Sequence, residues 1–139
     1  MLGKSINEIT MGEKASFQKT ITESDVYMYA GITGDLNPVH INDEHAKASM
    51  FKERIAHGML TAGFISAVLG LQLPGPGTIY MSQSIRFTAP VRIGDTVKAE
   101  AEVIEIIEEK NRITLKTVCT NQRGEEVLVG QAMVMPPKK

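Results

Sequence analysis

Residues 57–73 read HGMLTAGFISAVLGLQL, the longest nearly apolar stretch of the sequence. Its large apolar side chains recur at three- and four-residue spacings, which predicts an α-helix that begins near His57. The opposite side of this helix is also small or apolar, so we expect neighbouring elements to surround it on most sides. The stretch contains Thr61, Ser66 and Gln72 and is short for a membrane span, which favours a buried core helix.

The residues after this helix are predicted to form β-strands. The sequence Leu73-Pro74-Gly75-Pro76-Gly77 ends the helix, because proline and glycine interrupt regular structure. Strands are then predicted over 78–88, 97–103, 113–119 and 126–135, where apolar and polar residues alternate. The alternation slips at Val103 and Ile104, which indicates a β-bulge. The short turns between these strands favour antiparallel pairing.

The residues before the helix contain one further strand and two shorter helices. A strand is predicted over 15–21, and a helix runs from Thr22, its N-cap, to about Ile32. A polar loop follows over 35–40, and a short helix over 43–50 is capped by Asn42 or Asp43. The economical fold is a single α+β domain over residues 1–139, with an antiparallel sheet wrapped around the central apolar helix. One helix covers only one face of a sheet, so we expect a homodimer or higher homo-oligomer.

Composition restricts the partners of this chain. Its 139 residues are 42% hydrophobic and 22% charged, with a net charge of −1. No global positive field favours nucleic acid or an anionic membrane, so we expect neither as a partner. Cys119 is the only cysteine, so an internal disulfide is excluded. The first residues lack the apolar run of a signal peptide, and a cytoplasmic location is expected.

Two segments carry the candidate chemistry. Residues 29–40, YAGITGDLNPVH, hold Asp35 and His40 on a segment that Pro38 stiffens by fixing its own φ. A carboxylate and an imidazole held in this way suit an acid–base pair, although a turn aspartate and a structural histidine are the ordinary alternative. The helix start at Gly58 offers unpaired N–H groups and the positive end of the helix dipole, which suit a developing oxyanion.

These segments also carry a family resemblance. GDLNPVH at 34–40, with AHGM at 56–59, resembles the motif of the MaoC-like (R)-specific enoyl-CoA hydratases, which have the hot-dog fold. The similarity continues through IRFTAPVRIGD at 85–95 and so spans nearly the whole chain. It implies that Asp35 and His40 hold a water molecule and that the Gly58 N–H faces the thioester carbonyl.

The same resemblance implies supporting roles for two polar residues. Asn37 would position water or substrate, and Ser66 would assist the site. Each of these residues also has an ordinary structural explanation. Asn37 is a typical turn residue before proline, and a helical serine such as Ser66 usually bonds to a carbonyl one turn earlier. Gly58 is in the same way compatible with a tight helix entry. His57 is interpreted as structural and is left out of the catalytic set.

The activity implied by the resemblance is reversible syn hydration of a trans-2-enoyl-CoA to an (R)-3-hydroxyacyl-CoA. This carbon–oxygen lyase chemistry requires no metal and no redox cofactor, and CoA is part of the substrate. The three histidines form no recognisable metal motif, and no phosphate-binding glycine loop is present. Scattered basic residues would bind the CoA phosphates, and Arg86 and Arg92 are candidates. The alternatives are a hot-dog acyl-CoA thioesterase and a non-catalytic acyl-CoA-binding protein.

Overall fold

A computed structural model describes all residues, 1–139, and its main feature is one five-stranded antiparallel sheet. The strands lie in the spatial order β1-β3-β4-β5-β2. Their bounds are β1 Lys14–Thr20, β2 Ile79–Phe87, β3 Thr96–Ile107, β4 Arg112–Thr120 and β5 Glu126–Met135. All five strands were predicted from the sequence, and the shared antiparallel direction follows from the short turns that join β3, β4 and β5.

Four α-helices accompany the sheet. They are α1 Glu23–Thr33, α2 Pro38–Ile41, α3 Asp43–Lys47 and α4 Gly58–Leu71, and single 3-10 turns lie at Ile6–Glu8 and Glu108–Lys110. The longest, α4, is the apolar helix predicted from the sequence, and it packs chiefly against β3 and β1. The architecture is therefore the predicted α+β domain, with the sheet curved around one central helix. None of the helices has the length and apolar character needed to cross a membrane.

The core lies between α4 and the concave face of the sheet. Ile65, Val68 and Leu69 of the helix are almost completely buried against strand residues such as Val103 and Leu115. Burial of each of these side chains contributes roughly 1.5–3 kcal/mol to the free energy of folding. The bulge predicted at Val103 and Ile104 is confirmed by a register shift between Val103 and Glu105.

One face of α4 is left uncovered by its own chain. Met59, Gly63, Ser66 and Leu71 are exposed, so the expectation that the helix is surrounded on most sides is wrong for a single chain. The physical reason lies in the sheet order, because α4 sits over the β1–β3 side and makes few contacts with the distant edge strand β2.

The concave face of β2 is correspondingly open. Tyr80 and Phe87 pair with Val134 and Leu128, two buried core residues, so their side chains point to the concave face. They nevertheless remain 38% and 52% exposed. A bulge between Tyr80 and Ser82, which the sequence did not predict, shifts the register near the start of this edge strand.

The segment between α1 and α4 differs from the expectation in two details. The predicted loop over 35–40 ends in a helical turn, α2, because Asn37 caps it and Pro38 occupies its first position. The predicted helix over 43–50 ends early, at Lys47, after an N-cap provided by Asn42. His40 therefore lies on a short helix rather than on a loop.

Candidate active site

Asp35, His40 and His57 form a compact cluster where α1, α2 and the start of α4 meet. One side-chain oxygen or nitrogen atom from each residue lies within 4.8 Å of the other two. His40 and His57 are buried, whereas Asp35 is exposed at the rim. The predicted pair of Asp35 and His40 is thus brought together, and His57 joins it.

Helix caps hold the segment that carries Asp35. Oγ1 of Thr33 accepts a hydrogen bond from the Asp35 N–H at 3.2 Å. Helix α1 ends at Thr33, and its C-cap, Gly34, has a left-handed conformation. The Asp35 carboxylate accepts a hydrogen bond from the Asn37 N–H at 3.3 Å, and the Asn37 side chain accepts one from the Val39 N–H at 3.3 Å. Asn37 is therefore the N-cap of α2, which is its structural role in this chain.

The tautomer of His40 follows from its hydrogen bond. Its Nδ1 lies 2.7 Å from the carbonyl oxygen of Ile55. Because a carbonyl oxygen only accepts, Nδ1 carries the proton, and Nε2 presents a lone pair that makes no hydrogen bond within the protein. Burial lowers the pKa of His40, and this effect outweighs the Ile55 hydrogen bond and the Asp35 carboxylate, which raise it. Burial therefore favours the neutral imidazole, whose Nε2 can accept a proton.

His57, which was interpreted from the sequence as a structural residue, lies in direct contact with His40. Its ring stacks on that of His40 with a centroid distance of 3.8 Å and an interplanar angle of 27°. Its Nε2 lies 2.9 Å from the main-chain carbonyl oxygen of Asp35. The ring of Tyr29 also packs against His57, with a centroid distance of 4.7 Å. The available sequence signal was the histidine directly before Gly58, because a helix N-cap is ordinarily Ser, Thr, Asp or Asn.

The histidine arrangement does not suit a shared metal ion. A metal binds an imidazole nitrogen in the plane of the ring at about 2.0–2.1 Å. The lone pairs of two stacked, nearly parallel rings run side by side and do not converge on one point. One carboxylate and two histidines would be enough ligands for a metal ion, but their geometry favours proton transfer over metal ligation.

The start of α4 supplies unpaired donors. His57 is its N-cap and makes no side-chain capping bond, and the N–H groups of Gly58 and Met59 donate to no acceptor in the protein. A Cβ atom at residue 58 would lie 2.6 Å from Cε1 of Phe87, so the ring of Phe87 rests directly on the glycine. Only glycine permits this approach without displacing the ring.

A cavity of about 350 Å³ opens beside this helix start. Its lining includes Gly58 and Thr61 of α4, Phe87 of β2, and the loop residues Phe51 and Pro90. The lining is mainly apolar, as in most small-molecule sites, which combine apolar walls with a few polar groups. Gly58 is the predicted site residue that the cavity reaches.

The remaining predicted residues lie outside this arrangement. Ser66 is exposed two turns further along α4, on the uncovered helix face, and makes no side-chain hydrogen bond. Arg86 points to the convex face of the sheet, because its neighbour Phe87 points to the concave one. Arg92 lies near the cavity, where it donates to the Phe51 carbonyl and to Glu53, both at 3.1 Å.

The chain is similar to a known protein family over most of its length. The family model described as "MaoC like domain" matches residues 6–125. An (R)-specific enoyl-CoA hydratase of Rhodospirillum rubrum is 54% identical over 132 residues, which cover 95% of this chain and 91% of the relative. A 3-hydroxybutyryl-CoA dehydratase of Methylorubrum extorquens is 49% identical over 133 residues, covering 95% of this chain and 83% of the relative.

Solved structures place the fold in the same group. The unliganded R-hydratase PhaJ1 from Pseudomonas aeruginosa superposes with a TM-score of 0.94 at 44% identity, covering 99% of this chain and 88% of that one. The (R)-hydratase from Aeromonas caviae gives a TM-score of 0.90 at 40% identity, with 93% and 98% coverage. The predicted hot-dog fold is thereby confirmed. The chain belongs to the MaoC-like dehydratase family.

Proposed function

We propose that this protein is an (R)-specific enoyl-CoA hydratase, which adds water reversibly to trans-2-enoyl-CoA to give (R)-3-hydroxyacyl-CoA. The observation that carries the proposal is the cluster of Asp35 and His40 with His57, whose next residue, Gly58, has an unpaired N–H. It unites a proton acceptor, a second polar group for water and an oxyanion donor. These are the groups that conjugate addition to a thioester requires.

The proposed reaction begins with a water molecule held between the Asp35 carboxylate and Nε2 of His40. As the water oxygen bonds to Cβ, one water proton passes to this pair and the π electrons move towards the thioester oxygen. The resulting enolate oxygen accepts a hydrogen bond from the Gly58 N–H. The pair then returns the proton to Cα on the same face, which completes a syn addition and restores both residues.

His40 is assigned as the proton acceptor within the pair. Its Nδ1 proton is committed to the Ile55 carbonyl, so Nε2 has the lone pair. Asp35 is assigned to orient the water through its second hydrogen atom. Asn37 contributes through its side-chain cap, which fixes the turn between the two groups. No metal or redox cofactor enters this scheme, because addition of water to an activated double bond is balanced without either.

The proposal also includes assembly into a homodimer or a higher homo-oligomer. It is supported by the exposed face of α4, including Met59 and Leu71, and by the open concave face of β2, including Tyr80 and Phe87. A second copy that covers these surfaces would also enclose Ser66, which is the condition for its predicted assisting role. Sedimentation equilibrium tests this assembly, and a monomer at micromolar concentration would contradict it. The cytoplasmic location expected from the sequence stays a prediction.

The decisive test is hydration of crotonyl-CoA, followed by loss of the enoyl-thioester absorbance with chiral analysis of the product. Asp35→Asn and His40→Ala are each expected to lower kcat by about 10²-fold or more while the protein stays folded. Glu44→Gln and His45→Ala are the matched controls, because both residues are exposed on α3. Full activity in both site variants would refute the assignment. Release of free CoA thiol without hydration would instead indicate a thioesterase.

A further inference from the structure

His57 is a buried histidine that contacts both members of the proposed catalytic pair, although the proposed reaction does not use it. The residue is only 2% exposed. Its Nε2 lies 2.9 Å from the main-chain carbonyl oxygen of Asp35, and its ring stacks on that of His40 at a centroid distance of 3.8 Å. Gly58, the proposed oxyanion donor, is the next residue in the chain. One residue is therefore joined to all three groups that the reaction requires.

The hydrogen bonding of His57 excludes a role as an acid or a base. A carbonyl oxygen only accepts, so Nε2 carries the proton and donates a hydrogen bond to the carbonyl of Asp35. Nδ1 is inaccessible to solvent and has no hydrogen-bond partner. A second proton on Nδ1 would leave a buried donor without an acceptor, and a substrate cannot reach this atom. His57 is thus a fixed donor to the main chain.

The bond from His57 is the one hydrogen bond that ties the segment 34–37 to a distant part of the chain. All other hydrogen bonds of this segment are made within residues 30–40, to the end of α1 or around the cap of α2. Residues 34–37 are also exposed, so packing adds little to their placement. The position of the Asp35 carboxylate relative to α4 therefore depends on the His57 N–H.

The ring of His40 is held by two contacts of different kinds. Its Nδ1 is bonded to the Ile55 carbonyl at 2.7 Å, which fixes one edge of the ring. A bond at one edge still permits the ring to tilt, and the face of the His57 ring, inclined by 27°, opposes this motion. Tyr29 packs in turn against His57, with a centroid distance of 4.7 Å. The direction of the His40 Nε2 lone pair is set by both contacts.

We infer that His57 is a positioning residue, which sets the distance between the Asp35 carboxylate and Nε2 of His40. The proposed reaction holds its water molecule between these two groups, so the inference rests on that proposed function. A displacement of about 1 Å in a reacting geometry can lower a rate by about 10²-fold. His57 does not line the cavity, so its loss should lower kcat with little change in KM.

Two substitutions separate the two contacts of His57. His57→Phe keeps an aromatic ring beside His40 and removes the N–H that binds the Asp35 carbonyl. His57→Gln keeps an amide N–H and removes the ring. Each is expected to lower kcat for crotonyl-CoA about 10-fold, with KM within about twofold. Ile65→Val is the control for stability, because Ile65 is buried in the core on the same helix; it should lower Tm and leave kcat unchanged.

Double variants distinguish positioning from a general loss of structure. His57→Phe acts through Asp35, so it should have almost no further effect on kcat in an Asp35→Asn background. His57→Gln acts through the ring of His40, so it should have almost no further effect in a His40→Ala background. A purely structural role would lower kcat by the same factor in the single and the double variants, because independent effects add in free energy.

The bond from His57 can also be observed without substrate. The chain has three histidines, so their imidazole nitrogens are assignable by ¹⁵N NMR with the help of His45→Ala. In the wild type, Nε2 of His57 should be protonated and Nδ1 unprotonated. His40 should show the opposite tautomer, with its proton on Nδ1. This preference should weaken in His57→Gln, because the ring is then free to tilt away from the Ile55 carbonyl.

Wild-type kcat in both His57 variants would overturn the inference, and so would an equal loss of kcat in the single and the double variants. A wild-type His57 that carries its proton on Nδ1 would overturn it as well, and this measurement stays decisive if a variant folds poorly. Failure of the proposed function is read separately, from the absence of hydration by the wild type. The tautomers report the bond to Asp35 whatever reaction the site catalyses.

Discussion

Gly58→Ala is the substitution that most directly tests the oxyanion assignment. The added Cβ atom would lie 2.6, 2.8 and 2.9 Å from Cε1, Cδ1 and Cζ of Phe87. Ordinary contact begins near 3.4 Å, so the ring must retreat by most of an ångström. Gly58 does not have the left-handed backbone that disfavours alanine, and the clash with Phe87 is therefore the main cost.

The expected effects on stability and catalysis differ in size. Phe87 is 52% exposed and can rotate outwards, so the overpacking should cost about 1 kcal/mol and lower Tm by roughly 3–5 °C. We expect the methyl group and the displaced ring to hinder a thioester oxygen that approaches the Gly58 N–H. Loss of one oxyanion donor lowers kcat by about 10²-fold to 10³-fold, and a loss of that order is expected here.

Steady-state hydration of crotonyl-CoA and thermal unfolding, measured on the same samples, separate these effects. Phe87→Leu is the control, because it shortens the side chain at the clash. The double variant with Gly58→Ala should regain stability and remain catalytically poor. Wild-type kcat in Gly58→Ala would refute the oxyanion assignment. Full recovery in the double variant would show that the defect comes from the ring and not from the blocked N–H.

Three further predictions concern pH, an ion-pair cluster and a strand glycine. Because burial lowers the pKa of His40, the acid limb of kcat/KM should have its midpoint below the ordinary histidine pKa of 6.5. Since the unfolded chain binds this proton more readily, stability should also fall as the pH drops through that range. Arg54→Met removes ion pairs to two carboxylates and a contact over the Tyr27 ring, and should cost about 1–2 kcal/mol, less in high salt, by chemical denaturation. Gly130→Ala would place a Cβ atom 1.8 Å from the carbonyl oxygen of Ser84, so β5 must separate from β2 and soluble, cooperatively unfolding protein should be lost; a normal unfolding transition would contradict this.

Much of the fold follows from local sequence because the signals that determine it are local. Thr22 caps α1, the apolar spacing defines α4, and the slip at Val103 marks a bulge, each within a few residues. The coverage of α4 was predicted wrongly because it depends on strand order. Periodicity shows that a helix is apolar, but it does not show which strands lie beneath the helix or which of its faces stays uncovered.

The candidate site follows from the sequence only in part, because its contacts are tertiary. The segment with Asp35 and His40 was identified from its motif. The stacking of His57 on His40 joins residues 17 positions apart and depends on how α2 meets α4. The pairing of His57 with the Asp35 carbonyl is likewise a tertiary contact.

The uncapped start of α4 links ligand binding to folding. Helices ordinarily satisfy their first N–H groups with a side chain, and the loss of such a cap costs about 1 kcal/mol. Here His57 turns its side chain to the Asp35 carbonyl, and the N–H groups of Gly58 and Met59 stay unpaired. A thioester oxygen bound at that point would act as the missing cap. Bound substrate would then stabilise α4, the helix that activates it, against thermal unfolding. The protein would be most ordered when substrate is bound.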